Sequence, residues 1–289
     1  DHACARTLAQ NVGRELTQLL ARQMRVLAAR GVDGVVIDLT GNGGGSEWVE
    51  AAARVVTAPG LAMPRVGFIR HAHWEKSLQY RLNDIDLDLR KPVLAEAQRN
   101  WLTAARAKVE RAMAEVRRPC DRAGVWENRP VCPLLVSDFL HTAGIDAVPA
   151  NVSLEGFEAQ WVHDNAARYG AVPGAYRGPL AILIDGATAS AAEQFAAMLK
   201  DNGRATLIGS RTYGAGCGYT NGGIPITLRH SGIRIRVPDC ARLRADGQNE
   251  VAGIAADIVT AFGDNLTAAQ RAERARAGIA AWSKGLPAR

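Results

Sequence analysis

One segment constrains this chain more than any other: Asp185-Gly-Ala-Thr-Ala-Ser-Ala-Ala-Glu-Gln194. The apolar run before it, Pro179 to Ile184, reads as a buried strand. After it, Ala191 to Leu199 is Ala-rich, carries Phe195, Met198 and Leu199 at helical spacing, and reads as a helix. Ser190 therefore stands at a strand–turn–helix corner. Orphan backbone N–H groups and the positive end of the helix dipole gather there. A serine in that place is ordinarily a helix cap. It is also where a serine nucleophile would find its developing oxyanion stabilised during acyl transfer.

A second segment has the same layout. Gly34 to Leu39 reads as another buried strand, Thr40 to Gly45 as a glycine loop, and Ser46 to Val56 as a helix. Such a loop is a plain turn, a phosphate cradle, or a row of bare N–H groups facing an oxyanion. The Lys-Ser/Thr of a P-loop is missing, and the G-x-G-x-x-G spacing of a dinucleotide site does not follow the strand.

Together these segments resemble the peptidase family of C-terminal processing (tail-specific) proteases, tricorn proteases and their retinoid-binding relatives. Asp38-Leu-Thr-Gly-Asn-Gly-Gly-Gly45 matches the family's Asp-Leu-Arg-x-Asn-x-Gly-Gly, with Thr40 in place of the Arg. Ala187 to Glu193 matches Ser-Ala-Ser-Ala-x-Glu and continues into Asp201 to Ala205 and Ile208 to Gly214. Gly247 to Asp257 matches a closing Gly-x-x-x-Glu-x-x-Gly-Ile-x-x-Asp. The matching blocks lie within 30–60 and 178–260, and 71–175 has no counterpart. The resemblance implies a crotonase-like (ClpP-like) spiral α/β core and a serine peptidase acting on peptide or protein substrates. Ser190 would be the nucleophile, the backbone N–H groups of Gly44 and Ala191 the oxyanion hole, and no cofactor would be needed. Two other classes stay open: a catalytically inactive peptide- or lipophile-binding relative, and a crotonase-type acyl-CoA enzyme.

The processing proteases take the serine's proton on a Lys in a Thr-Phe-Gly-Lys-Gly turn. Here that turn is Thr212-Tyr-Gly-Ala-Gly216, with Ala215 at the Lys position. Lys200 lies on the Ser190 helix, roughly 15 Å further along its axis at 1.5 Å per residue. The tricorn branch uses a His on the strand before the helix that leads into the Asp-Leu-Arg strand. That implies His2 as base and Glu250 as the acid that orients it. Asp1 replaces the tricorn Ser beside the His. Leu8, Val12, Leu16, Leu20, Met24 and Leu27 trace the intervening amphipathic helix. Glu193, one helical turn from Ser190, reads as a cap partner.

Among the remaining histidines, His71 and His73 share one face of an extended segment. They are candidate substrate contacts together with Tyr213, and the second choice as base. As a metal pair they lack the third ligand that zinc sites need, so no metal is assigned. His230, beside Ser231-Gly232, reads as a solvated hairpin turn, and His141 and His163 as surface or core positions.

The chain of 289 residues reads as one large domain with an insert. The first half of the core is 1–70 and a mostly helical insert, a possible lid, is 71–175. The second half, ending in a β-meander, is 176–263, and a C-terminal helix is 264–289. Strand–helix alternation with Val/Ile-rich strands favours parallel pairing. Within the insert, 75–118 is amphipathic and charged, broken at Pro92, and Leu154 to Tyr169 reads as a further polar helix. Thr267 to Gln270 reads as a capping box. No apolar run reaches the length of a membrane span. The net charge of +6 comes from scattered arginines without aromatic interleaving, which argues against nucleic-acid binding. Cys120/Cys132 and Cys217/Cys240 sit at loop-closing separations, leaving Cys4 over. Two disulfides would place the protein in the periplasm or outside the cell, and five unrelated thiols are the alternative. Asp1 in place of an initiator Met suggests that a leader, and an N-terminal domain, precede this chain.

Overall fold

The structure is a computed structural model. It describes residues 2–46, 48–57, 61–62, 64–120, 123–127, 132, 135–137, 152, 156–158, 166, 169–170, 172–217, 226–263 and 265–286, without the side chains of 2, 3, 5, 6, 125 and 135–137. His141, His163 and most of the polar-helical stretch expected over Leu154 to Tyr169 lie outside the described residues, as does the 218–225 part of the expected meander.

The elements run α1 (His2–Ala29), β1 (Val35–Asp38), α2 (Trp48–Val55), β2 (Arg65–Phe68), α3 (Glu75–Leu89), α4 (Glu96–Arg117) and β3 (Leu135–Ser137). They continue with β4 (Leu180–Ile184), α5 (Ala191–Asp201), β5 (Thr206–Gly209), β6 (Ile226–Thr227), β7 (Arg234–Ile235), β8 (Cys240–Leu243), β9 (Ile258–Val259) and α6 (Ala268–Ser283). The chain divides into two compact units. One comprises Asp1–Pro64, Asn165–Gly216 and Leu243–Arg289, the other Arg65–Asp164 and Cys217–Arg242. The segment from Cys217 to Arg242, expected in the second half of the core, thus belongs with the insert. The reason is physical: β8 joins the sheet of β2, and a disulfide closes Cys217 onto Cys240.

The first unit is a mixed α/β fold around a four-stranded sheet of order β1-β4-β5-β9, parallel throughout. The strands alternate as their apolar runs require. Leu180, Ile182 and Ile184 of β4 face one core with Phe195 and Leu199 of α5, Val49 and Ala53 of α2, and Met24 of α1. Ala181 and Leu183 face the other, against Ile279 and Trp282 of α6. Thr267 caps α6, its hydroxyl accepting from the Gln270 N–H while the Gln270 side chain accepts from the Thr267 N–H. The seam of α1 differs from the expected one: Gly13, Thr17, Ala21 and Met24 are buried, with Leu20 and Leu27 beside them, whereas Leu8, Val12 and Leu16 are exposed.

The register of β1 on β4, Val35 opposite Leu180 through Asp38 opposite Leu183, makes neighbouring strands end side by side. The glycine loop leaves one and the Ser190 turn leaves the other. In an open parallel sheet this is the edge where ligands bind.

The second unit packs α3 and α4, with Pro92 in the connection between them, on a three-stranded sheet of order β3-β2-β8. Phe68, Trp74, Leu78, Ile85, Leu102 and Val109 form its core. Both expected disulfides are present, Cys120–Cys132 and Cys217–Cys240, and Cys4 is free and exposed.

Candidate active site

Asp185, at the end of β4, is buried and holds the site together. Its Oδ1 accepts from the N–H groups of Gly41 (3.0 Å), Ala187 (3.0 Å) and Thr188 (3.0 Å). The Thr188 hydroxyl donates to the Leu39 carbonyl at 2.8 Å, and Ala189 N–H donates to the Asn42 carbonyl at 2.9 Å. The glycine loop and the serine turn are therefore bonded to each other along their length. An Asp followed by a Thr three residues on was the signal in the sequence; it marks a side chain that closes its own turn.

Ser190 sits at φ 54, ψ −119, and is the one non-glycine residue with positive φ among the described residues. Such a conformation costs on the order of 1–3 kcal/mol and persists only where its surroundings enforce it. A strained strand-to-helix turn of this kind pushes a serine hydroxyl out of the chain's path. Gly44 lies directly against it. A Cβ at Gly44, whose φ is +100, would stand 2.7 Å from Ser190 Cβ and 2.9 Å from the Ala191 nitrogen, so only glycine fits. Ala191 opens α5, and its N–H is one of the helix's orphan donors. The Gly44 N–H donates to Asn42 Oδ1 at 2.9 Å, a bond that must open before this group can hold an oxyanion.

Glu193 is fully buried and is a structural brace. Its carboxylate accepts from Ser190 N–H at 2.9 Å, Gly214 N–H at 2.6 Å, Ala215 N–H at 2.8 Å and the Thr212 hydroxyl. Four donors compensate a charge that burial would otherwise make costly. The turn where the processing proteases carry Lys is thereby seated beside the serine with Ala215 in that place. Lys200 is held elsewhere, donating to Asp257 at 2.6 Å and to the Ala255 carbonyl at 2.8 Å.

The other candidate residues distribute as follows. Tyr213 N–H donates to the Thr188 carbonyl at 3.0 Å, and its side chain is exposed. Glu250 is fully buried at the start of a 3₁₀ turn. That turn backs the 212–216 loop: Thr212 N–H donates to the Ile254 carbonyl, and a Cβ at Gly214 would lie 2.4 Å from the Val251 carbonyl oxygen. Arg244 pairs with Asp201 at the end of α5, and that hydrogen bond raises the Arg244 pKa above its ordinary value. His71 and His73 lie in the second unit, their Nδ1 atoms 2.8 Å apart, with His73 Nε2 3.1 Å from Asp239 Oδ2. His230 is exposed in the turn of the β6–β7 hairpin.

His2 departs from its expected place. It is the first residue of the helix α1 instead of a strand residue. Leu20 of the same helix lines the cavity beside Gly44 and Ala191, and His2 lies eighteen residues before it, roughly 27 Å along the axis at 1.5 Å per residue. The helix as formed does not bring His2 to Ser190.

That cavity, about 560 Å³, opens beside Gly44 and Ala191 and is walled by Leu20, Met24, Leu39, Trp48, Val49 and Phe195. Its lining is that of a pocket for an apolar group.

A carboxyl-terminal-processing protease of Picosynechococcus sp. is 55% identical over 38 residues, which is 13% of this chain and 9% of that protein. Two solved structures of mature CPAF, one of them complexed with lactacystin, superpose with TM-scores of 0.54 and 0.52 at 19% identity. Each comparison covers 93% of this chain and 45% of the CPAF chain, so the chain spans less than half of these relatives. The model of peptidase family S41 matches residues 8–260, and the chain belongs to that family.

Proposed function

We propose that this chain is the catalytic part of a serine peptidase that hydrolyses peptide bonds through an acyl-enzyme on Ser190. The observation that carries this reading is the strained Ser190 corner pressed against Gly44 at the start of α5. Ser190 Oγ attacks the peptide carbonyl carbon while a base takes the hydroxyl proton. The C–N bond then breaks, the leaving amine receives that proton, and water hydrolyses the ester. The Ala191 and Gly44 N–H groups hold the oxyanion. An oxyanion is a stronger acceptor than the Asn42 carboxamide that holds the Gly44 N–H in the resting site, so the exchange is favourable. The apolar cavity takes a side chain of the substrate. A crotonase-like spiral core fits the parallel sheet, and two disulfides support an extracytoplasmic location.

The family resemblance makes the base a histidine, with Glu250 orienting it. His2 fills that role only in a conformation where the first turns of α1 are unwound. A second reading, a binding relative without catalysis, is favoured by Ala215 at the Lys position and by the size of the apolar cavity.

A fluorophosphonate probe separates the two. Labelling at Ser190, with both labelling and peptide hydrolysis lost in Ser190→Ala, is the expected result. Hydrolysis unchanged in Ser190→Ala refutes the mechanism, and no labelling or hydrolysis in the parent chain leaves the binding relative. With a His base, activity rises through roughly neutral pH, since free imidazole has a pKa of about 6.5. His2→Ala at full activity removes His2 while leaving the serine chemistry standing.

A further inference from the structure

The β6–β7 hairpin of the second unit is an amphipathic ribbon whose two faces carry opposite chemistry. Ile226 pairs with Ile235 and Thr227 with Arg234. Leu228 N–H donates to the Ile233 carbonyl at 2.8 Å, which continues the ladder to the turn. Side chains alternate across a strand and directly opposed residues share a face. Ile226, Leu228, Ile233, Ile235 and Val237 therefore lie on one face, and Thr227, Arg234 and Arg236 on the other, with Arg229 opening the turn. All five aliphatic side chains are exposed, by 38% to 66%. Residues 224–238 contain three arginines and no acidic residue. Among the described residues, none of the three makes an ion pair or side-chain hydrogen bond.

A two-stranded ribbon is at best marginally stable in water. This one is stapled at its base by the Cys217–Cys240 disulfide, which closes a loop of 23 residues' separation. The chain thus holds open an aliphatic surface that folding ordinarily covers.

We propose that this hairpin is a docking surface for an anionic lipid bilayer. The partner must offer hydrocarbon to one face and negative charge to the other. A sheet with its side chains is about 10 Å thick, and interfacial elements bury their apolar face about 5–10 Å into the headgroup–acyl boundary. With the aliphatic face at that depth, the arginines of the upper face stand level with the lipid phosphates, which guanidinium groups bind well. The face carries no Tyr, Trp or Met, the residues that anchor protein–protein interfaces. Edge-to-edge pairing with a second copy would set like-charged arginine rows side by side. The hairpin lies on the bilayer without crossing it, since its strands β6 and β7 are two residues each and a spanning strand needs about 9–11.

Flotation of the full chain with vesicles of phosphatidylcholine, with and without phosphatidylglycerol, tests this. The wild-type chain floats with the anionic vesicles, weakly with neutral ones, and less as salt is raised. The variant R229Q/R234Q/R236Q loses binding on the order of fivefold per arginine, near a hundredfold together. The variant I233S/V237S loses it as well, with thermal melts and disulfide content as folding controls. Were a variant to misfold, hydrogen exchange of the wild-type chain with anionic vesicles still decides, by protection confined to 226–238. The proposal is overturned if the wild-type chain does not float with anionic vesicles, or if protection appears elsewhere. It is equally overturned if both folded variants bind as the wild type does, or if the wild-type chain is a dimer that I233S/V237S dissociates, since a second copy would then cover the face.

Discussion

Replacing Ser190 by glycine should abolish hydrolysis and yet leave a more stable protein than replacing it by alanine. Both substitutions remove the hydroxyl, so any contact it makes cancels in the comparison. They differ at the backbone. Alanine keeps a Cβ at φ 54, ψ −119, where a side chain costs on the order of 1–3 kcal/mol, while glycine adopts such angles freely. Against this, glycine gives the unfolded chain additional freedom worth about 0.4–1 kcal/mol. The glycine variant should therefore exceed the alanine variant by about 1–2 kcal/mol, a gap in melting temperature of roughly 2–8 °C for a domain of this size. Urea denaturation with matched m-values measures it. Equal stability of the two variants, or a more stable alanine variant, would show that Ser190 carries no backbone strain and would remove the physical ground for reading this corner as a nucleophile's seat.

Two further outcomes test the scaffold around it. Asp185→Ala leaves the N–H groups of Gly41 and Ala187 without their acceptor, while Thr188 N–H keeps the Asp185 backbone carbonyl, and should destabilise by about 2–3 kcal/mol, whereas Asp185→Asn, which keeps an oxygen at Oδ1, should lose half of that or less; chemical denaturation of both variants gives the comparison. Replacing Cys217 and Cys240 by serine together should cost about 3 kcal/mol for a separation of 23 residues, and unreduced mass spectrometry of the parent chain should find two bridges and one free thiol at Cys4.

The repeating part of the fold could be read from the chain. Val35 to Asp38 and Leu180 to Ile184 form strands because both faces of a central parallel strand are buried, which a continuous apolar run reports. Thr267 announced α6 through its own capping chemistry. The failures have causes of another kind. Leu8, Val12 and Leu16 share a helical stripe with Leu20, but Tyr169, Trp48 and α2 cover only the neighbouring stripe, and periodicity cannot tell which of two apolar stripes finds a partner. Sequence order puts the hairpin with the second half of the core, whereas a disulfide and the pairing of β8 in the sheet of β2 group it with the second unit, and neither link is visible in a linear chain. Ser190 was legible as a corner but its positive φ was not, since that conformation is normally flagged by glycine. Asn42, Asp185 and Thr188 stand in the motifs, but the bonds from Gly41 to Asp185, from Thr188 to Leu39 and from Ala189 to Asn42 join segments far apart in sequence, which no local pattern reports.

The bond from Gly41 to Asp185 spans 144 positions. Its consequence lies in the order in which the molecule comes into being. During synthesis the glycine loop leaves the ribosome long before the serine turn does, and α3 and α4, which can fold on local contacts, are made in between. Closing a flexible loop of that length costs about 4 kcal/mol of chain entropy, and nothing recovers it until β4 docks beside β1. A nascent or partly unfolded chain therefore holds two inert halves of the candidate site. The proposed chemistry therefore awaits the docking of β4 beside β1, and a partly folded chain could not carry it out.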